Sequence, residues 1–132
     1  MKELVVIDLD VQPGNQLNAE IARLMNYEVM SYGEDSWWYR PLGLNYSEIE
    51  YNPKYVWKPL PKFSDNIVSV AEKMEELGFI PYLKPTGEKT YVCFFDEGNK
   101  TFGTKPFKKA SHAFACAFLF VLKTRNPYGK GK

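Results

Sequence analysis

Asp8, Asp10, His112, Cys93 and Cys116 are the side chains from which chemistry would be built in this sequence. Asp8-Leu9-Asp10 follows an apolar run, as in phosphotransferases that start metal chemistry at the end of a strand. No parallel-sheet unit with partner residues follows it here, so the pair reads as outward positions of an edge strand. His112 is the single histidine and falls on a predicted helix, where a lone imidazole is structural or faces solvent. The two cysteines sit inside apolar segments and read as reduced core residues. There is no Gly-x-Ser-x-Gly, no Cys-His pair at a recognisable spacing, no Walker A loop and no Gly-x-Gly-x-x-Gly. Cysteine and histidine are too few for a metal site. The expectation is a protein that is not an enzyme, with no catalytic residue, no metal and no cofactor.

What remains is an inventory for binding. Aromatic residues cluster around 37–39, 46–57 and 91–95, and cations accompany them. A flat aromatic face beside guanidinium or ammonium groups suits a purine base with phosphate. The candidate ligand-binding residues are Trp38, Tyr39 and Arg40 for stacking and anion contact, Asn99, Lys100 and Lys105 at a turn and a helix start, and Arg125 at that helix's end. Lys105, Lys108 and Lys109 crowd the predicted start of the last helix, where free N–H groups and the positive end of the dipole favour an anion.

The elements that must position these groups follow from hydrophobic period and punctuation. Residues 1–11 read as a strand, either an extra strand or an arm on another subunit. Leu17, Ile21, Leu24, Met25 and Val29 recur at helical spacing, predicting a helix over 16–30 that Asn15 caps and Gly33 ends. An aromatic strand over 36–41 leads into a long loop over 42–63. A helix over 64–77 is capped by Ser64 or Asp65 and stopped by Gly78. Three strands follow in meander order, near 79–83, 89–95 and 100–103. The middle one is apolar on both faces, so its sheet should be covered on both sides. The last helix is predicted over 105–124, with Thr104 as cap and Pro106 in its first turn. Its residues 113–122 are uniformly apolar, which predicts burial on nearly all sides and, in so small a chain, self-association. The fold class is α+β, an α-β-α sandwich on a mostly antiparallel sheet. Residues 1–15 form an extension, 16–125 the domain and 126–132 a flexible basic tail.

At 132 residues the chain suits one domain, and its net charge of +1 gives no global pull toward nucleic acid or a membrane. Ten apolar residues do not span a bilayer. The expectation is a soluble cytoplasmic protein without a membrane or nucleic-acid partner.

The order of segments resembles the phage α-β-α (ABA) sandwich domain of small phage and prophage proteins. The pieces that carry the resemblance are Leu17-Asn18-Ala19-Glu20-Ile21-Ala22, Trp38-Tyr39-Arg40-Pro41, Phe63-Ser64-Asp65-Asn66-Ile67, Glu72-Lys73-Met74-Glu75-Glu76-Leu77-Gly78-Phe79 and Thr104-Lys105-Pro106. Phe107 and Lys108 depart from the acidic residue that usually follows the proline. The resemblance implies a cytoplasmic homo-oligomer in a bacterial host cell. By association with the Thoeris anti-defence sponges, it further implies sequestration of a nucleotide immune signal, a cyclic ADP-ribose isomer or cyclic oligonucleotide, without cleavage. No site residue is carried over from that group. The alternatives are a structural or interaction phage protein without a small ligand, and a nucleic-acid binder using the basic ends.

Overall fold

The structure is a computed structural model that describes residues 2–33, 36–41 and 57–129. In chain order its elements are β1 (Glu3–Val6), α1 (Asn15–Leu24), β2 (Tyr27–Ser31), β3 (Trp37–Pro41) and β4 (Lys58–Pro59). A 3-10 turn (Phe63–Asp65) leads to α2 (Ile67–Glu76), then β5 (Tyr82–Pro85), β6 (Tyr91–Glu97), β7 (Lys100–Gly103) and α3 (Ala110–Arg125). The α+β class, the three helices and the mostly antiparallel pairing agree with the sequence. The strands, however, divide into two sheets, β1-β7-β6-β5 and β2-β3-β4.

α3 is the axis of the core. Ten of its residues, from His112 to Leu119 and then Val121 and Leu122, are buried. β6 covers one side, and α1, α2 and the 3-10 turn cover the others. The apolar run therefore finds partners within its own chain. On β6, Cys93 and Phe95 are fully buried toward this helix. Phe95 stacks on Phe102 at 5.1 Å, meets Phe79 edge-on at 5.3 Å and lies 6.3 Å from Phe120. Such pairs add about 0.5–1.5 kcal/mol each beyond their burial.

Several element ends differ from the sequence expectation: Asn15 is the first residue of α1, whose N-cap is Gly14, and β5 runs over Tyr82–Pro85 where 79–83 was expected. α1 stops at Leu24, because Asn26 adopts a left-handed conformation (φ 69°) and hands the chain to β2. Residues 27–30, expected as the helix's last turn, are strand. α2 begins at Ile67, and its cap is Asn66, whose side chain accepts from the Ser69 N–H at 3.1 Å; Ser64 and Asp65 lie in the 3-10 turn before it. α3 begins at Ala110. Thr104 does not cap it: the Thr104 N–H donates to the Cys93 carbonyl, and its hydroxyl accepts from the Cys93 N–H, both at 3.0 Å. Phe107 exchanges two backbone bonds with Tyr91, so the stretch through Pro106 extends the sheet.

The extension at 1–15 holds β1, an extra strand parallel to β7, and Ile7 beyond it is 1 % exposed. The sheet's outer face is open, contrary to the expectation that both faces would be covered: Leu4 and Val6 are 61 % and 62 % exposed. Of the tail, Tyr128 packs against the core, and residues 130–132 lie outside the described residues, as does most of the predicted loop, 42–56.

Candidate functional site

The segment that follows β1 crosses the start of α3 and builds a cleft there. Two side chains one helical turn apart hold it. His112 Nε2 lies 2.6 Å from the Val11 carbonyl, and the Cys116 thiol donates to the same oxygen at 3.9 Å. A carbonyl can only accept, so Nε2 carries the hydrogen. On the far side, the Gly14 N–H donates to Ser64 Oγ at 3.0 Å, and the Ser64 N–H donates to Asn18 Oδ1 at 2.8 Å. These bonds pin Gln12 and Pro13 in place as one wall.

The resulting cleft has a volume of about 390 Å³. Asp10, Gln12 and Pro13 line one side, and Pro106, Phe107, Lys108 and Lys109 the other, with Thr90 and His112 completing it. Phe107 and His112 lie with ring centroids 4.1 Å apart and form an aromatic wall. Lys109 occupies the N-cap position of α3 and makes no side-chain cap hydrogen bond. The first turn thus keeps donor N–H groups at the positive end of the helix dipole. The Lys109 ammonium reaches Asp65 at 3.6 Å, an exposed pair that a stronger anion can displace. Among the described residues, no group of three His, Cys, Asp or Glu side chains is placed to hold a metal ion.

The seven residues expected to bind ligand do not meet. Trp38, Tyr39 and Arg40 lie on β3, in the other sheet. Tyr39 packs on the core beside Tyr27, with ring centroids 4.9 Å apart, and burial pushes its hydroxyl pKa up. Arg40 is 8 % exposed; it reaches Glu28 at 3.4 Å and stacks 4.1 Å over Trp57. Trp38 is half-buried and its indole N–H donates to Ser36 Oγ at 2.9 Å.

Asn99 and Lys100 lie at the β6–β7 turn, and Arg125 comes to the same end, where it pairs with Glu97. Its guanidinium lies 5.0 Å from the Phe102 ring and 5.2 Å from Phe120, so it lids the aromatic cluster. Its hydrogen bond holds the Glu97 carboxyl below its ordinary value. Lys105 lies beyond the end of β7, about 17 Å along the extended chain from Lys100. It pairs with Asp8 at 2.9 Å, a hydrogen-bonded pairing that lowers the Asp8 pKa and raises that of Lys105.

Sequence reasoning did single out Lys108 and Lys109 as supports of an anion site at the start of α3. It missed Asp10, Thr90 and Phe107, which reach the cleft only through the crossing segment and the Tyr91–Phe107 bridge. The sequence reads His112 as structural or solvent-facing; it is 6 % exposed and bonds Val11, and its ring also borders the cleft. Among the described residues, no helix is long and apolar enough to cross a membrane. Compared with family models, with curated proteins and with solved structures, the chain matches none.

Proposed function

We propose that this chain is a non-enzymatic binding protein whose ligand is a small anionic nucleotide, held in the cleft at the start of α3. The observation that carries the reading is convergence in one cleft: Lys108, Lys109, the ring of Phe107 and the uncapped start of a 16-residue helix. Cations and free N–H groups at a helix start suit phosphate. A volume of about 390 Å³ is at the small end of ligand pockets. Asp10 in the same cleft disfavours a bare anion and favours a ligand that also offers donors, such as a nucleobase amine or ribose hydroxyls.

Sequestration of a cyclic ADP-ribose isomer or cyclic oligonucleotide, by a phage or prophage protein acting against bacterial defence, is the biological form of this reading. Its support is the resemblance in segment order to the phage α-β-α sandwich domain. The second reading is an interaction protein without a small ligand, and the open apolar face of the four-stranded sheet favours it.

A thermal-shift panel of cyclic ADP-ribose isomers and cyclic oligonucleotides separates the two. Ligand at about a hundred times its dissociation constant adds about 2.7 kcal/mol to stability. The bound compound is then released by denaturation and identified. Intact recovery supports a binder and hydrolysed recovery means an enzyme. Lys109→Ala should weaken binding about tenfold, the loss of one charge-assisted hydrogen bond. No shift with any compound refutes the nucleotide reading and leaves the interaction protein.

A further inference from the structure

We propose that the open face of the four-stranded sheet is the interface of a two-fold symmetric dimer of this chain. The inference does not depend on the ligand reading. Alternation and register place the outward side chains in rows. Tyr82, Phe94, Gly103 and Val6 form the middle row, with Ile80, Asp96, Thr101 and Leu4 on one side of it. Ile80 is 73 % exposed and Tyr82 38 %, beside the open Leu4 and Val6. Tyr82 stacks on Phe94, whose ring lies over Gly103, where an added Cβ would stand 2.6 Å from it. The centre of the face is therefore aromatic, with the Lys84 ammonium 5.5 Å from the centroid of the Phe94 ring, and a facing sheet packs on it once that ammonium turns toward the other copy.

A second copy is the occupant because the two edges of the face complement each other. A two-fold axis running along the strands lays β5 of one copy over β1 of the other and keeps every row at its own level. Leu4 then faces the Ile80 row of the other copy. At that position there is a cavity of about 340 Å³ lined by Gly78, Ile80, Tyr82 and Asp96. A leucine side chain projecting from the β1 edge can enter it and occupies only part of that volume. In the row beyond the middle one, Lys84 on β5 meets Asp8, which follows β1. Asp8 already bonds Lys105, but its side chain is 89 % exposed and has room for a second cation. The symmetry repeats both contacts, as an isologous interface requires.

Strand and row spacings give a face of about 20 by 20 Å. With corrugation and the two rims, each copy loses roughly 600 Å² of accessible surface, which is at the lower edge of stable specific interfaces. Interfaces at this end of the size range include weak, transient associations, so the dimer is sought through the micromolar range.

Sedimentation velocity from about 1 to about 500 µM brackets the range expected for an interface of this size. The expected result is a monomer–dimer equilibrium. Leu4→Lys and, separately, Ile80→Lys should each weaken it at least about thirtyfold, as loss of an interface anchor does. Both sites are open, so the melting temperature of each variant monitors the fold. Lys84→Glu alone and Asp8→Lys alone should weaken the dimer, and the double exchange should restore it. A wild-type monomer at every concentration overturns the proposal, as does a dimer indifferent to Leu4→Lys and Ile80→Lys. Failure of the double exchange to restore association overturns the facing of β5 on β1.

Discussion

Replacing Asn18 by alanine should cost the fold about 3 kcal/mol. Asn18 lies on α1 and is 2 % exposed, and its Oδ1 is the acceptor for the buried Ser64 N–H at 2.8 Å. Truncation leaves that amide without an acceptor, at about 1–3 kcal/mol. The void left by the carboxamide adds about 1 kcal/mol. For a chain of 132 residues the entropy of unfolding is about 0.28 kcal/mol/K, so the melting temperature should fall by about 10 °C. Ser64→Ala removes only the hydroxyl that accepts from the Gly14 N–H, and should cost about 1 kcal/mol. Because both bonds run through Ser64, the double variant should fall short of the sum of the singles. Circular dichroism melts, with urea titrations for the free energies, read all three variants. A drop of less than about 3 °C for Asn18→Ala would refute the claim that this carboxamide holds the 3-10 turn against α1.

Arg40→Ala should lower the melting temperature by several degrees and leave ligand affinity unchanged. Its buried guanidinium serves Glu28 and Trp57 within the β2-β3-β4 region, and a selective loss of affinity would reverse that assignment. Acid should loosen the sheet. The Thr101 hydrogen bond, then Lys2, holds Asp96 below its ordinary 3.8, and the Arg125 hydrogen bond holds Glu97 below 4.5. Folded values below the unfolded ones give stability that is present above those pH values and lost as pH falls through the folded ones. Melting temperatures at pH 7, 4 and below 3 should show this loss, and Asp96→Asn should show less of it; equal acid sensitivity in the two proteins would contradict the assignment. Burial pushes the Cys93 thiol up to about 12 and Cys116 to about 11. A thiol reagent at pH 8 should therefore label neither in the native protein and both in denaturant; rapid native labelling would show that the core opens.

Helix interiors were legible in the sequence and helix ends were not, for local reasons. Val70 and Met74 with Gly78 marked α2 and its end, and Gly78 does take the left-handed conformation (φ 93°). At 26–29 the helical spacing of Val29 competed with the strand preference of Tyr27 and Val29. Asn26 decided for the strand by turning left-handed, which short-range periodicity does not reveal. Thr104-Lys105-Pro106 carried a strong helix-start signature, yet the sheet took Thr104 and Phe107, since Cys93 and Tyr91 offered backbone partners from a distant strand. That overshoot of five residues is why Lys105 was placed at the anion site, where Lys108 and Lys109 stand instead. Arg125 looked like a ligand cation because an aromatic lid of this kind is made by residues far apart in sequence. The cleft itself depends on residues 10–13 crossing α3, and nothing local in the sequence dictates that crossing.

The parallel pairing of β1 with β7 also sets the order in which the molecule can be finished. Glu3 pairs with Lys100, so the strand translated first must wait for one made nearly a hundred residues later. At the usual pace of synthesis, about 5–20 residues per second, that wait is about 5–20 s. Throughout it Leu4, Val6 and Ile7 have no sheet to join, and closing so long a loop is entropically costly until β6 and β7 are already in place. β1 should therefore dock last. In pulse-labelling hydrogen exchange, the amides of β1 should gain protection after those of β6 and α3, and in the native protein they should be the first to lose it.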